Sequence, residues 1–331
     1  MISAAIVGLG WWGKTIARTL AGSAKLKLVR AVDVDPRTAE FAREQGLGFS
    51  TEFAHVLEDP AVEAVILCTP HSRHREQILA AAGARKHVFC EKPLTLTRRD
   101  AVECVEACAA AGVVLGIGHE RRFEPPILEL RRLAASGELG TLLQIEANFS
   151  QDKFLSLAPD NWRLSSADAP GGPLTATGIH LLDLACAILG PAERAAANLR
   201  QLGSQLVNGD TLGALIGFKS GANALISAML ATPFAGRFAL YGNRGWVEVV
   251  DKAHPESPEG WTLTKCLRGG RPERRDYPPA PAVRANLEAF ADGIAGVAPY
   301  PVPGAEMIAT VAALEAVVRS AKNGGRVEGV E

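Results

Sequence analysis

The sequence predicts two folds in tandem: an α/β domain on a doubly wound parallel sheet, then an α+β domain whose open, mostly antiparallel sheet carries helices on one face. Three observations lead there. The first 118 residues alternate short β-rich runs with amphipathic segments of helix length. The later half strings strand-like runs together through tight turns. The 331 residues, 47% hydrophobic and 21% charged, are more than one core usually organises, so two domains are expected, 1–121 and 122–331.

In the first half the runs are "AAIVGLG", "LKLVRAVD", "AVILCTP", "HVFCEKP" and "VVLGIG". They are mostly apolar because both faces of such a sheet are covered. Between them lie helical segments such as Pro36–Gln45 and Thr97–Ala111, with Pro36 in a first turn and Gly46 or Gly112 as a stop. A helix over Pro125–Ser136, ended by Gly137, opens the second half. There "TLLQIEANFS", "TLGALIGF", "GANALISAML", "RFALYG" and "GWVEVV" are separated by "KSG" and "GNRG", the turn chemistry of hairpins. Helices near 173–189, 282–296 and 304–321 are expected to cover one sheet face. The other face is then solvated or met by another subunit.

Thirty-five basic against 36 acidic residues give a net charge of −1, which removes the electrostatic case for nucleic acid or an anionic membrane surface and favours a small-molecule substrate. The six cysteines, at 68, 90, 104, 108, 186 and 266, form no CxxC and no Cys/His zinc spacing, so they read as packed, reduced thiols and no metal site is expected. No signal-like segment and no run of about 18 apolar residues occurs, from which a cytoplasmic location is expected.

"VGLGWWGK" places Gly8, Gly10 and Gly13 in the spacing GxGxxG between a strand and a helix. Gly8 permits the tight turn, Gly10 lets the backbone approach a pyrophosphate, and Gly13 allows close helix–strand packing. Twenty residues after Gly13 the second strand ends in Asp33, whose carboxylate suits both adenosine ribose hydroxyls. A dinucleotide is therefore the expected cofactor. NAD is preferred to NADP, because Asp33 repels a 2′-phosphate and Val34 supplies no neutralising charge. Of Trp11 and Trp12, one covers the pyrophosphate while the other packs, or both pack. Ligands of such a sheet bind beyond its strand ends. Thr69, Pro70, His71 and His74 after one strand and Glu91 and Lys92 after the next are accordingly two lips of one cofactor cleft.

"GLGWWG", "CTPHSRH", "HVFCEKPLTLT", "VLGIGHERRF" and "GGPLTATGIHLLDLA" occur in the order and spacing of the glucose–fructose oxidoreductase / inositol dehydrogenase / rhizopine catabolism (Gfo/Idh/MocA) family of NAD(P)-dependent oxidoreductases, which the chain resembles over nearly its whole length. That resemblance implies a Rossmann first domain, Lys92 beside the nicotinamide and the reacting carbon, and Glu91 at the nicotinamide ribose. It also implies a homodimer or homotetramer paired through the C-terminal sheet.

His180 and Asp183 are three apart on one side of a helix. By itself His180 reads as a packed core histidine. The resemblance makes it the acid/base or hydrogen-bond partner of Lys92 at the substrate hydroxyl. Asp183 either orients His180, holds a neighbouring hydroxyl or makes a structural hydrogen bond, and Thr177 is a further candidate substrate contact. The chain departs from the family at Ala176, where many members carry an acid one turn before the histidine.

The segment "DKFLSLAPDNWRLSSADAPGG" is too long for a connector and reads as a lid. Trp162 and Arg163 are its candidate contacts, to the nicotinamide end by resemblance or, for Arg163, to a substrate carboxylate. Arg121 and Arg122 read as ties between domains, Arg122 also as a substrate contact, and His119 as structural. The expected reaction is hydride transfer between NAD and a secondary alcohol or ketone of a sugar, inositol or other cyclic polyol. An NAD-dependent glycosidase of the same superfamily and a non-catalytic dinucleotide-responsive regulator are the alternatives.

Overall fold

The structure, a computed structural model, describes every residue except 256. It divides into two compact units: residues 1–120 with 282–308, and residues 121–281 with 309–331.

The first unit carries six parallel strands, β1 (Ile2–Val7), β2 (Leu26–Val32), β3 (Gly48–Ser50), β4 (Ala64–Leu67), β5 (His87–Cys90) and β6 (Leu115–Ile117), in the order β3-β2-β1-β4-β5-β6. This is the doubly wound dinucleotide-binding order, with its switch point between β1 and β4. All four residues of β4 are buried, which is why that run reads as unbroken apolar sequence. The helix Arg98–Ala111 starts where the Thr97 hydroxyl accepts from Asp100 N and stops at Gly112, whose φ of 68° suits a residue without Cβ. Strand β3 escapes sequence reading because three residues are too few for a period.

One expectation is corrected. The helix Ala282–Ile294 does not cover the second sheet; it belongs to the first unit. Leu287, Phe290 and Ala291 join the core of Ile6, Ile16, Leu20 and Phe89, and Phe290 meets Phe89 edge-on at 5.6 Å. Each such large apolar side chain contributes roughly 1.5–3 kcal/mol on burial. The chain passes between the units at 120/121 and returns to the first at 282–308, a return that a single boundary at 121/122 does not contain.

The second unit holds β7 (Leu142–Ser150), β8 (Ala192–Arg200), β9 (Thr211–Phe218), β10 (Asn223–Met229), β11 (Ala235–Gly242), β12 (Gly245–Asp251), β13 (Trp261–Leu267), β14 (Glu273–Tyr277) and β15 (Glu328–Gly329). They form one nine-stranded sheet, β14-β13-β12-β11-β7-β10-β9-β8-β15, antiparallel except for β7 beside β10. The inward residues Ile145, Ala147, Phe149, Ile216, Ile226, Phe238, Leu240 and Val247 meet Ile127, Leu130 and Leu133 from the helix Pro125–Ser136. Leu181, Leu182 and Leu184 from the helix Ile179–Leu189, and Leu314 and Val317 from the helix Gly304–Lys322, complete this core. Alternate residues of the same strands, among them Glu146, Leu215, Leu225 and Glu248, lie on the opposite face. Among the described residues no helix is long and apolar enough to cross a membrane.

Candidate active site

Steric demand fixes the glycine loop between β1 and the helix Trp11–Leu20. Gly8 has φ +92°, and a Cβ there would lie 2.7 Å from the Cys68 carbonyl oxygen. A Cβ on Gly13 would lie 1.8 Å from the Gly8 carbonyl oxygen. Around Gly10, in contrast, an added Cβ meets nothing within 4 Å, so the backbone there borders open space. Asp33 accepts from Leu9 N through one carboxylate oxygen (2.5 Å) and from Asp35 N through the other (2.8 Å), tying the second strand end to the loop.

Leu9, Gly10 and Asp33 border a cleft of about 520 Å³ that Trp11, Lys14, Arg18, Asp35 and Thr38 also line. Trp11 is 51% exposed while Trp12 packs against the core. Arg37 does not reach for a phosphate; its guanidinium grips Asp35 and holds that carboxyl below the usual range. The open backbone at Gly10, the exposed helix start and the acidic strand end together fit a dinucleotide.

The two lips leave the same edge of the sheet, since Val7 pairs with Leu67 and Leu67 with Cys90. His74 joins them. It is fully buried, its Nδ1 2.8 Å from the Pro93 carbonyl oxygen and its Nε2 3.1 Å from that of Thr69, and burial pushes its pKa down. Its expected place against the cofactor is therefore corrected to one behind the lips. Thr69 donates its hydroxyl to Gln77 (2.5 Å), and His71 is 8% exposed beside His74.

Lys92, followed by a cis bond to Pro93, is half-buried. Glu91 is 7% exposed, and burial first, then the charge of Glu120, pushes its carboxyl up to about 7, against smaller opposing effects of Trp12 and Lys92. Gly118 makes room for it: a Cβ there would come 2.5 Å from both carboxylate oxygens. Glu120 and Gly118 were not expected here, because only the β5–β6 pairing brings "GIGHE" beside "CEKP".

In the second unit a π-helical turn, Leu174–Gly178, runs into the helix Ile179–Leu189. His180 is 4% exposed, its ring 6.1 Å from that of Phe149. Asp183 is engaged by partners from elsewhere in the unit. Both its oxygens accept from Arg122 (2.6 and 2.7 Å), and Thr310 adds a third bond at 3.3 Å, all buried. Asp183 thus makes the structural bond that was one of its readings, and Arg122, a candidate substrate contact, is its partner. Thr177 is corrected likewise: its buried hydroxyl donates to the carbonyls of Phe149 (2.8 Å) and Pro173 (3.2 Å). Ala176 is the one partly exposed residue of that turn.

Within the lid-like segment, the Arg163 guanidinium stacks 4.3 Å from the Trp162 ring centre. Asn161 accepts from Arg163 N, and the Asn208 amide donates to the carbonyls of Arg163 (2.8 Å) and Ala169 (3.0 Å), anchoring the middle and the later part of the segment. Burial raises the thiols of Cys104 and Cys108, to about 12 and about 11, which makes them inert packing groups. Among the described residues no group of three or more His, Cys, Asp or Glu is placed to hold a metal.

Residues 2–119 match a family model described as the oxidoreductase family with NAD-binding Rossmann fold, and residues 127–248 match the GFO/IDH/MocA C-terminal domain. Over 332 residues the chain is 32% identical to 1,5-anhydro-D-fructose reductase of Ensifer adhaerens, covering 96% of this chain and 98% of the relative. It is 32% identical to scyllo-inositol 2-dehydrogenase (NAD(+)) of Bacillus subtilis over 263 residues, 76% of this chain and 75% of that one. Aldose–aldose oxidoreductase from Caulobacter crescentus, solved with glycerol, superposes with a TM-score of 0.87 at 28% identity, over 99% of each chain. With both domain types matched in order along one chain, this protein belongs to the Gfo/Idh/MocA family of oxidoreductases.

Proposed function

We propose that the chain is an NAD-dependent dehydrogenase that interconverts a secondary alcohol and a ketone on a sugar, inositol or related cyclic polyol. The observation that carries this reading is the shared sheet edge: the open glycine loop, the Thr69 lip and the Glu91–Lys92 lip leave β1, β4 and β5 side by side. Relatives named as sugar and inositol dehydrogenases and reductases support the substrate class.

Gly10 and the start of the following helix would hold the pyrophosphate, and Asp33 the adenosine ribose. Two carboxylates at that strand end, with Arg37 already engaged by Asp35, favour NAD over NADP. The nicotinamide, when bound, accepts or supplies the hydride. Lys92 takes the alcohol proton as the ketone forms and returns it in the reverse direction, and His180 is its proposed partner at the substrate oxygen. Trp162 and Arg163 close the nicotinamide end.

The test is a panel of inositols, aldoses and polyols followed by NADH absorbance, with Lys92→Met alongside. The variant is expected to bind NADH normally and to lose about 10²–10⁴ in kcat. Turnover within about tenfold of the parent removes Lys92 from the proton step.

We also propose that a second copy covers the outward sheet face, as a homodimer or homotetramer. Leu215 and Leu225 are directly paired there at 47% and 42% exposure, next to the Glu146–Arg237–Glu248 ion network. Leu215→Glu with Leu225→Glu is expected to yield monomers by light scattering; an unchanged assembly places the interface elsewhere.

A further inference from the structure

Strand β6 is three residues long and lies at the edge of its sheet, so its outer side has no neighbouring strand. Gly118 N donates to the Cys90 carbonyl of β5 (2.8 Å), and the residue before it, Ile117, therefore turns its own N–H and C=O outward. Ile117 is 1% exposed, where a backbone amide and carbonyl need partners.

Two side chains from the returning segment take the place of a seventh strand. Tyr300 Oη accepts from Ile117 N (3.1 Å) and donates to Asn286 Oδ1 (2.7 Å), and Asn286 Nδ2 donates to the Ile117 carbonyl (2.9 Å), which closes the ring. Oη also lies 3.0 Å from the Ile117 carbonyl, and the shorter approach to Oδ1 takes its one hydrogen. Asn286 is 1% exposed, and the Tyr300 ring stands edge-on to Phe290 at 6.4 Å. The helix that carries Asn286 is fixed elsewhere in the same unit. Arg284 donates to the carbonyls of Thr19 and Ala21 (both 2.8 Å), and Asp292 pairs with Lys25 at 2.7 Å.

The clamp acts on the residue that follows it. His119 N donates back to the Ile117 carbonyl (2.8 Å) and bends the chain at Gly118. The Glu91 carboxylate lies against that bend: a Cβ on Gly118 would come 2.5 Å from both its oxygens and 2.6 Å from its carbon. With no slack between them, a displacement of Ile117 moves the floor under Glu91 and Lys92.

We propose that Asn286 and Tyr300 are positioning residues for the nicotinamide half of the cofactor: they hold Ile117, Ile117 fixes Gly118, and Gly118 sets the height of the Glu91–Lys92 lip. The inference rests on the reading that this lip meets the nicotinamide half of NAD. It adds to that lip two residues that lie 169 and 183 positions from Ile117 in the chain.

Titration with NADH and with ADP, which carries the adenosine and a diphosphate but no nicotinamide half, tests it. Tyr300→Phe removes one oxygen and keeps the ring against Phe290. It is expected to weaken NADH by about threefold to tenfold and to leave ADP within about twofold of the parent. Asn286→Ala should show the same split, and Gly118→Ala, which displaces Glu91 directly, a larger one. In a Glu91→Ala background, Tyr300→Phe should cause no further loss of NADH affinity. Both ligands are read on one folded sample, so a lowered melting temperature does not by itself produce the split. Equal weakening of NADH and ADP, no weakening of either, or losses from Tyr300→Phe and Glu91→Ala that add, overturns the proposal. Failure of NADH formation with every alcohol counts instead against the dehydrogenase reading, since the binding split needs no turnover.

Discussion

Arg122 and Asp183 face each other through two charge-assisted hydrogen bonds of 2.6 and 2.7 Å, with both side chains 1% exposed. Removing one partner strands a buried charge, whereas replacing both with apolar side chains does not. Asp183→Ala is therefore expected to cost about 3–5 kcal/mol and to lower the melting temperature markedly. Arg122→Met/Asp183→Leu should recover much of that loss. A single Asp183→Ala variant that melts within about 2 °C of the parent but loses substrate affinity would return Asp183 to the substrate.

The glycine loop separates two steric demands that the motif alone merges. Gly13→Ala forces a Cβ to 1.8 Å from the Gly8 carbonyl, so backbone must move and stability should fall by about 1–3 kcal/mol or more. Gly10 has φ −62°, which alanine accepts, and open space around it. Gly10→Ala should leave the melting temperature of the free protein unchanged and weaken NADH roughly tenfold or more, because the methyl occupies the pyrophosphate approach. Equal effects of the two changes on free-protein stability would refute this division.

The loop was legible in the sequence because its constraints are local: three glycines answer to one turn, one close approach and one open approach within six residues. The parallel strands were legible for a similar reason, since burial on both faces leaves mostly apolar runs. The helix Ala282–Ile294 shows its apolar stripe equally well, yet a stripe does not say which core it seals, and Phe290 found Phe89 rather than the second sheet. Asp183 was left with three readings for the same cause. Helical spacing placed it near His180, but its partner Arg122 lies 61 residues away. Gly118 against Glu91 and His254 against Gln151 likewise depend on strand and loop placement that no spacing encodes.

Glu91 ties stability to pH. Its folded pKa of about 7 lies above the ordinary value of 4.5. Between those values the folded chain binds more protons than the unfolded one, so stability falls as pH rises through that window. Glu91→Gln removes the titration. Urea unfolding at about pH 5 and about pH 8 should show the parent losing on the order of 2–3 kcal/mol that the variant keeps. Parallel losses in both proteins would assign the pH dependence to other groups.

Ala176 offers the sharpest check on His180. Every other residue of the turn Leu174–Gly178 is buried, while Ala176 is partly exposed one helical turn before the histidine. A carboxylate at that position reaches water, so Ala176→Asp is expected to fold with a melting temperature within about 3 °C of the parent. If His180 takes part in proton transfer, a new anion one turn away favours its charged form and moves the pH–rate profile upward by about one unit. Were the position instead enclosed, the carboxylate would be buried without a partner, at a cost of several kcal/mol. A large drop in melting temperature with an unmoved profile would therefore show that this helix face lies in a dry interior, and His180 would lose its place in the reaction.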